Sequence, residues 1–138
     1  MPADFIDANG RHTDDAERLF QVERYANADH LFGIAAECGL KCLMAAFGMP
    51  VEPATGDPKE RTDKQHVDAL WVRYESYRYG HHSGAGYVLP AVNPFADWQA
   101  SQRYERQDQF DADRVEPHRH SAIFIQRLVS KAQSEGLL

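Results

Sequence analysis

The chain is poor in three things: long apolar runs, cysteine and basic charge. No apolar run reaches the roughly 18 to 20 residues that a membrane span needs, so we expect no membrane-spanning segment. Its 21 acidic and 15 basic side chains give a formal net charge of −6. This charge disfavours a protein that grips nucleic-acid backbones through its whole surface, so any RNA must bind at a local site.

The two cysteines, Cys38 and Cys42, are spaced by one helical turn. We expect both thiols to be reduced and buried rather than joined in a disulfide. The first residues are acidic and lack a basic region followed by an apolar one, so no secretory signal or transit peptide is visible. A cytoplasmic location is therefore the default expectation.

The length of 138 residues and the ordinary composition favour one domain over residues 1–138, which the patterns below predict to be helical. Residues 1–12 show no periodicity and include Gly10, so they predict a loosely ordered leader. Thr13 fits a helix N-cap, which places a first helix at about 14–25.

A second helix is predicted from Asn27 or Asp29 to Gly48, although one long bent helix is the alternative. A third helix with a largely aromatic apolar face is predicted over about 63–78. Two stretches rich in proline, glycine or charge predict loops: 49–62 and 79–94.

The last helix is predicted to begin near Asp111 or Asp113 and to end near Glu135. Pro117 is tolerable only within about the first turn, where amide groups lack helical partners. No alternating strand pattern is present. The sequence therefore predicts an all-α protein, a four- to five-helix bundle.

Glu37 and Lys41 stand four residues apart inside the apolar stretch HLFGIAAECGLKCLMAAFG. One interpretation is a solvated ion pair on the polar edge of the helix. The other is a pair that borders an interhelical groove and braces an arginine of the C-terminal half, either Arg103 or Arg114.

The stretch RYANADHLFGIAAECGLKCLMAAFG, residues 24–48, resembles the N-terminal helical pair of the HEPN superfamily. That pattern has an Ala-rich helix carrying a Glu, then a Lys four residues later, then small apolar residues. The segment DWQASQRYE, residues 97–105, resembles the Trp and Arg-Tyr element that precedes the last helix in some members. The resemblance covers about two thirds of the chain and implies a HEPN-like bundle.

Many HEPN proteins are metal-independent ribonucleases, often toxins of toxin–antitoxin or phage-defence systems, and the resemblance implies this activity here. Their Arg and His, separated by a short spacer, usually pair across a homodimer. In this sequence five residues, VEPHR, separate Arg114 from His120. Imidazole can act as general acid or base, and guanidinium can neutralise charge developing on the phosphate.

This segment departs from the family pattern in two ways. The residue after the arginine is Val115 rather than a polar one, and Pro117 lies inside the motif. His118 is a rival for the histidine role, although its spacing from Arg114 is short. A solvated polar start to the last helix is the alternative interpretation of Arg114 and His120.

Two histidine pairs raise metal binding as an alternative: His81 with His82, and His118 with His120. On a helix, however, two residues in a His-x-His pattern point about 200° apart, so we predict neither a metal site nor a cofactor. His81 and His82 lie in a glycine-rich stretch typical of an exposed loop.

Arg103 and Tyr104 could hold a phosphate and stack a base, or Arg103 could pair with a carboxylate such as Glu37. Two function classes thus stay open. One is an RNA-cleaving toxin or defence ribonuclease, for which we expect a homodimer, an RNA substrate and an antitoxin or another partner protein. The other is a non-catalytic module whose binding residues, Arg103, Tyr104, Glu37 and Lys41, hold a nucleotide or a partner protein.

Overall fold

The computed structural model describes all residues, 1–138, and is all-α, as predicted. It has no β-strand. Four α-helices make up the fold: α1 Phe5–Gln21, α2 Tyr25–Ala46, α3 Val67–Tyr79 and α4 Ala112–Ser134. None of these helices is both long enough and apolar enough to cross a membrane.

Helix α1 begins at Phe5, so the predicted loose leader over residues 1–12 is wrong. The carboxylate of Asp4 caps the helix by accepting from the Asp7 backbone N–H at 3.0 Å. Thr13 is a buried residue inside the helix, where its hydroxyl donates to the Asn9 carbonyl at 2.7 Å. Packing of this buried face against α2 outweighs the cost of Gly10, about 1 kcal/mol relative to alanine.

Helices α1 and α2 form an antiparallel hairpin rather than one bent helix. Between them Glu23 adopts a left-handed conformation with φ of 62°, which lets the chain reverse. Near this turn Phe20 packs edge-on against Phe32 with ring centroids 6.4 Å apart. Farther along, the Asn9 side-chain amide donates to the Ala35 carbonyl at 2.9 Å.

Helix α4 begins where the sequence predicts, because Asp111 caps it by accepting from the Arg114 backbone N–H at 2.9 Å. Pro117 lies inside the helix, in its second turn rather than its first. The helix continues through it, and the proline nitrogen, which has no hydrogen, leaves one helical hydrogen bond unmade. The predicted limit on the position of Pro117 was too strict.

The region between α2 and α3 is a loop, as predicted, but α3 begins at Val67 rather than near Asp63. Asp63 belongs to a short 3₁₀ helix, Arg61–Asp63, and its buried carboxylate faces α3. It accepts from Arg73 Nε at 2.7 Å and from the Tyr77 hydroxyl at 2.5 Å. The predicted loop over 79–94 contains only a 3₁₀ helix, Gly84–Tyr87.

Helix α2 lies at the centre of the core and packs against all three other α-helices. Gly33 on α2 makes room for Trp98, because a Cβ at Gly33 would overlap the indole ring. Cys38 and Cys42 are free and buried, as predicted. Burial raises the pKa of the Cys38 thiol to about 11 and that of Cys42 to about 12.

Candidate functional site

Arg114, the predicted phosphate-supporting residue, is held by its own chain. Its guanidinium donates to the Gln109 carbonyl at 2.9 Å and to the Glu105 carboxylate at 3.1 Å. It also lies 3.9 Å from the centroid of the Phe110 ring. These contacts leave little of the guanidinium free for a ligand.

His120, the predicted acid or base, is 85% exposed, and its Nδ1 lies 3.4 Å from the Glu116 carboxylate. It borders a small cleft of about 150 Å³ with Arg119, Ile123 and Arg127. Arg114 does not line this cleft. The structure therefore does not bring Arg114 and His120 together at one opening within a single chain.

His118, the rival histidine, is buried between two carboxylates. Its Nδ1 lies 2.6 Å from Asp29 Oδ1, and its Nε2 lies 2.8 Å from Asp97 Oδ1. The Phe95 ring stacks on the imidazole with centroids 5.1 Å apart. His118 is therefore a residue of the interior contact between α2, α4 and the intervening segment, closed to a ligand.

Glu37 and Lys41 form the expected ion pair, with Lys41 Nζ donating to Glu37 Oε2 at 3.1 Å, but both side chains are largely buried. The other carboxylate oxygen, Oε1, lies 2.9 Å from His66 Nδ1. The predicted bracing of an arginine by Glu37 is wrong, because histidine and lysine occupy both oxygens. The alternative pairing of Arg103 with Glu37 is wrong for the same reason.

His66 is oriented by Glu37. An ionised carboxylate can only accept, so Nδ1 carries the proton and Nε2 keeps a free lone pair in the neutral ring. The side chain is 57% exposed. No local signal in the sequence marks His66 as a partner of Glu37, since the two residues lie 29 positions apart.

A cavity of about 250 Å³ opens beside this cluster. Its charged and titratable lining residues are Glu37, Lys41, Asp57, Lys64 and His66. The cavity therefore offers two ammonium groups and one exposed imidazole next to two carboxylates. Such a mixed lining suits a ligand that carries both hydroxyl groups and negative charge.

A second histidine, His30 of α2, lies on the other side of the site and contacts the same tryptophan as His66. Its ring stacks on Trp98 with centroids 5.9 Å apart, while His66 meets the same indole edge-on at 6.3 Å. His30 Nδ1 is buried without a hydrogen-bond partner. Burial lowers the pKa of His30, and the nearby charge of Arg103 lowers it further. The spacing of His30 and Glu37, two helical turns, was the available signal that they share a face.

We call His30, Glu37, Lys41, His66 and Trp98 the α2 polar face. Of the predicted binding residues, Glu37 and Lys41 belong to it. Arg103 lies close enough to act on His30, and its guanidinium is 4.8 Å from the Tyr104 ring centroid. Tyr104 is an exposed aromatic side chain.

The histidines of the 79–94 loop belong to a separate region. His81 and His82 stack with centroids 4.3 Å apart, and His81 also contacts the Phe47 ring. The Ser83 backbone N–H donates to His81 Nδ1 at 3.1 Å. The structure brings together no group of three or more His, Cys, Asp or Glu side chains that could hold a metal ion.

Comparisons of the chain with protein-family models, with curated proteins and with solved structures found no match. The fold and the site define the class: an all-α helical bundle with a polar cavity beside its central helix. Membership of the HEPN superfamily stays a prediction from the sequence.

Proposed function

We propose that the protein is a HEPN-like helical module of the cytoplasm that binds a nucleotide or a short RNA at the α2 polar face. The observation that carries this proposal is His66, an exposed imidazole oriented by Glu37 at the edge of the 250 Å³ cavity. In its neutral form, Nε2 can accept from a ribose hydroxyl, and the ammonium of Lys64 can pair with a phosphate.

The exposed Tyr104 supports the nucleotide class rather than a simple anion. Aromatic side chains stack on bases, and base stacking contributes about 1–3 kcal/mol per base in proteins that bind single strands. Arg103, beside Tyr104 and His30, adds positive charge at that end of the site. A local site of this kind is compatible with the acidic balance of the whole chain.

The second candidate is the metal-independent ribonuclease that the HEPN resemblance implies, acting as a toxin or in phage defence. The exposed His120 beside Arg127 favours it, since the cleft they line offers an imidazole next to a guanidinium group. Arg119 also lines this cleft, but its guanidinium donates to Glu17 and Glu116. In this candidate a homodimer completes the site, and an antitoxin or another partner protein restrains it. Arg114 would first have to leave Glu105.

Binding can be tested by isothermal titration calorimetry with ATP and with a ten-nucleotide single-stranded RNA, in EDTA. We expect Lys64→Gln to weaken binding about tenfold or more, the loss of roughly one charged hydrogen bond, and His66→Gln to weaken it about three- to tenfold, the loss of a neutral one. Lys59→Gln is the matched control, because Lys59 is exposed on the same loop but does not line the cavity. Absence of binding by the unaltered protein to either probe would overturn the proposal.

Cleavage of the same RNA distinguishes the second candidate. Activity that survives EDTA and is lost in both His120→Ala and Arg127→Gln would support the ribonuclease. Arg114→Ala tests the sequence prediction separately: cleavage lost in this variant as well would mean that Arg114 leaves Glu105 in the active assembly. Binding without cleavage would support the module alone.

A further inference from the structure

The buried imidazole of His118 joins three parts of the fold. It comes from α4, while Asp29 comes from α2 and Asp97 from the segment between α3 and α4. Asp29 is fully buried, whereas the Asp97 side chain is 75% exposed. The network therefore runs from the surface to the interior of the bundle.

The hydrogen-bond pattern requires a proton on each ring nitrogen. An ionised carboxylate has no hydrogen to donate, so a bond to Asp29 needs Nδ1–H and a bond to Asp97 needs Nε2–H. The second oxygen of Asp29 is also an acceptor, from the Gln102 amide at 2.5 Å. Only the imidazolium form of His118 satisfies two ionised carboxylates at once.

The charges around His118 also favour the protonated ring. Burial of the ring lowers the pKa of His118, but hydrogen bonds to Asp29 and Asp97 and their negative charges outweigh burial, so the net shift is upward. These two carboxylates are the charged groups that act on the ring from α2 and from the intervening segment.

The same network holds the segment Asp97–Tyr104 against α2. The Trp98 indole N–H donates to the Asp29 carbonyl at 3.0 Å, and Gln102 donates to the Asp29 carboxylate. The side-chain oxygen of Gln102 also accepts from the Gln99 backbone N–H at 3.2 Å. This bond caps the 3₁₀ helix Ala100–Tyr104. The segment carries Trp98 to the α2 polar face and brings Arg103, with Tyr104 beside it, close to His30.

We propose that His118 is a proton-dependent latch that holds the segment Asp97–Tyr104 in place. When the ring loses one proton, one nitrogen presents a lone pair to a carboxylate, and that contact becomes repulsive. Asp97 is the partner that releases, because it is exposed and water can solvate it, while Asp29 is buried and keeps its bonds to Gln102 and Nδ1–H. The segment then loosens as pH rises.

The proton-dependent contact between His118 and Asp97 does not depend on the proposed function. Its effect on ligand affinity does rest on that proposal. If the α2 polar face binds a nucleotide, loosening of the segment at Asp97 makes the neighbouring Trp98 less firmly held and lowers affinity. The proton on His118 would then set how much of the protein is competent to bind.

Asp97→Asn is the informative variant. An asparagine amide can donate to a neutral Nε2, so this variant keeps the latch closed without the second proton. Asp14→Asn is the matched control, since it removes the same charge from an exposed position on α1.

Hydrogen exchange of residues 97–104, corrected for intrinsic rates, is measured from pH 6 to pH 9. In the unaltered protein and in Asp14→Asn we expect protection to fall, by up to about tenfold per pH unit, between the pKa of His118 with Asp97 released and its higher pKa with Asp97 bound. In Asp97→Asn we expect no such fall. Equal protection of the unaltered protein across this range, or the same fall in both variants, would overturn the latch.

Two further measurements complete the test. An NMR titration of the His118 ring should show a midpoint above 6.5, the ordinary histidine value; a neutral ring at pH 6.5 would also overturn the latch. Affinity for the single-stranded RNA should fall with pH in the unaltered protein and stay level in Asp97→Asn. If exchange behaves as expected while no probe binds, the latch stands and the proposed function fails.

Discussion

Gly33 and Trp98 fit together with no room for a side chain between them, because a Cβ at Gly33 would lie only 2.0 Å from the nearest indole carbon. This close approach lets Trp98 bury itself fully against α2 while its edge meets His66 and its face meets His30. One glycine of the central helix thereby decides where the aromatic centre of the candidate site lies.

Gly33→Ala should displace Trp98. We expect it to lower the free energy of unfolding by about 1–3 kcal/mol, the usual cost of overpacking a core, and to increase the solvent exposure of the indole. Urea denaturation followed by circular dichroism gives the first quantity and iodide quenching of fluorescence the second, in a Trp71→Phe background.

Gly10→Ala is the control for this substitution. Gly10 is also helical, but nothing lies within 4 Å of a Cβ built there. Alanine should therefore raise the free energy of unfolding by up to about 1 kcal/mol through its better helix propensity. Equal effects of the two substitutions would contradict the packing account of Gly33.

Glu37→Gln should leave Lys41 largely buried without a counter-charge. We expect a loss of about 1.5–3 kcal/mol in the free energy of unfolding, the range for a hydrogen bond to a charged group. Glu52→Gln, at an exposed position, should change it by less than about 0.5 kcal/mol. Unchanged stability in Glu37→Gln would show that the ion pair contributes nothing.

His118 should make stability depend on pH. Since its pKa is raised in the folded protein, its contribution is complete below the unfolded-state pKa of about 6.5 and is lost as pH rises through the folded-state pKa. The difference in unfolding free energy between the unaltered protein and His118→Gln should therefore shrink as pH rises from 6 to 9. A difference that is constant or grows over this range would contradict the ion-pair arrangement.

The two cysteines should react slowly. Burial raises the pKa of both thiols, so few thiolates form at pH 8 and reagents reach them poorly. We expect a disulfide reagent such as DTNB to label the unfolded protein, in urea, at least about a hundredfold faster than the folded one. Rapid labelling in buffer would show that α2 opens at this position.

Local signals in the sequence predicted the fold class well. The start of α4 was predictable because Asp111 caps its own helix, and the Glu37–Lys41 pair because both residues lie on one helix. The start of α1 was not predictable, because Gly10 has a poor helix propensity. The helix extends through Gly10 because Asn9 and Thr13 are buried, with Asn9 bonded to α2. Long-range packing there outweighs local propensity.

The sequence by itself determined the helical class, the apolar character of α2 and the placement of an ion pair within it, since these depend on spacing along the chain. Only the tertiary structure decided which groups meet: His66 with Glu37, His118 with Asp29 and Asp97, and Arg114 with Glu105 rather than a ligand. Such contacts join different elements, and no local pattern encodes them, because they depend on how the helices and loops pack.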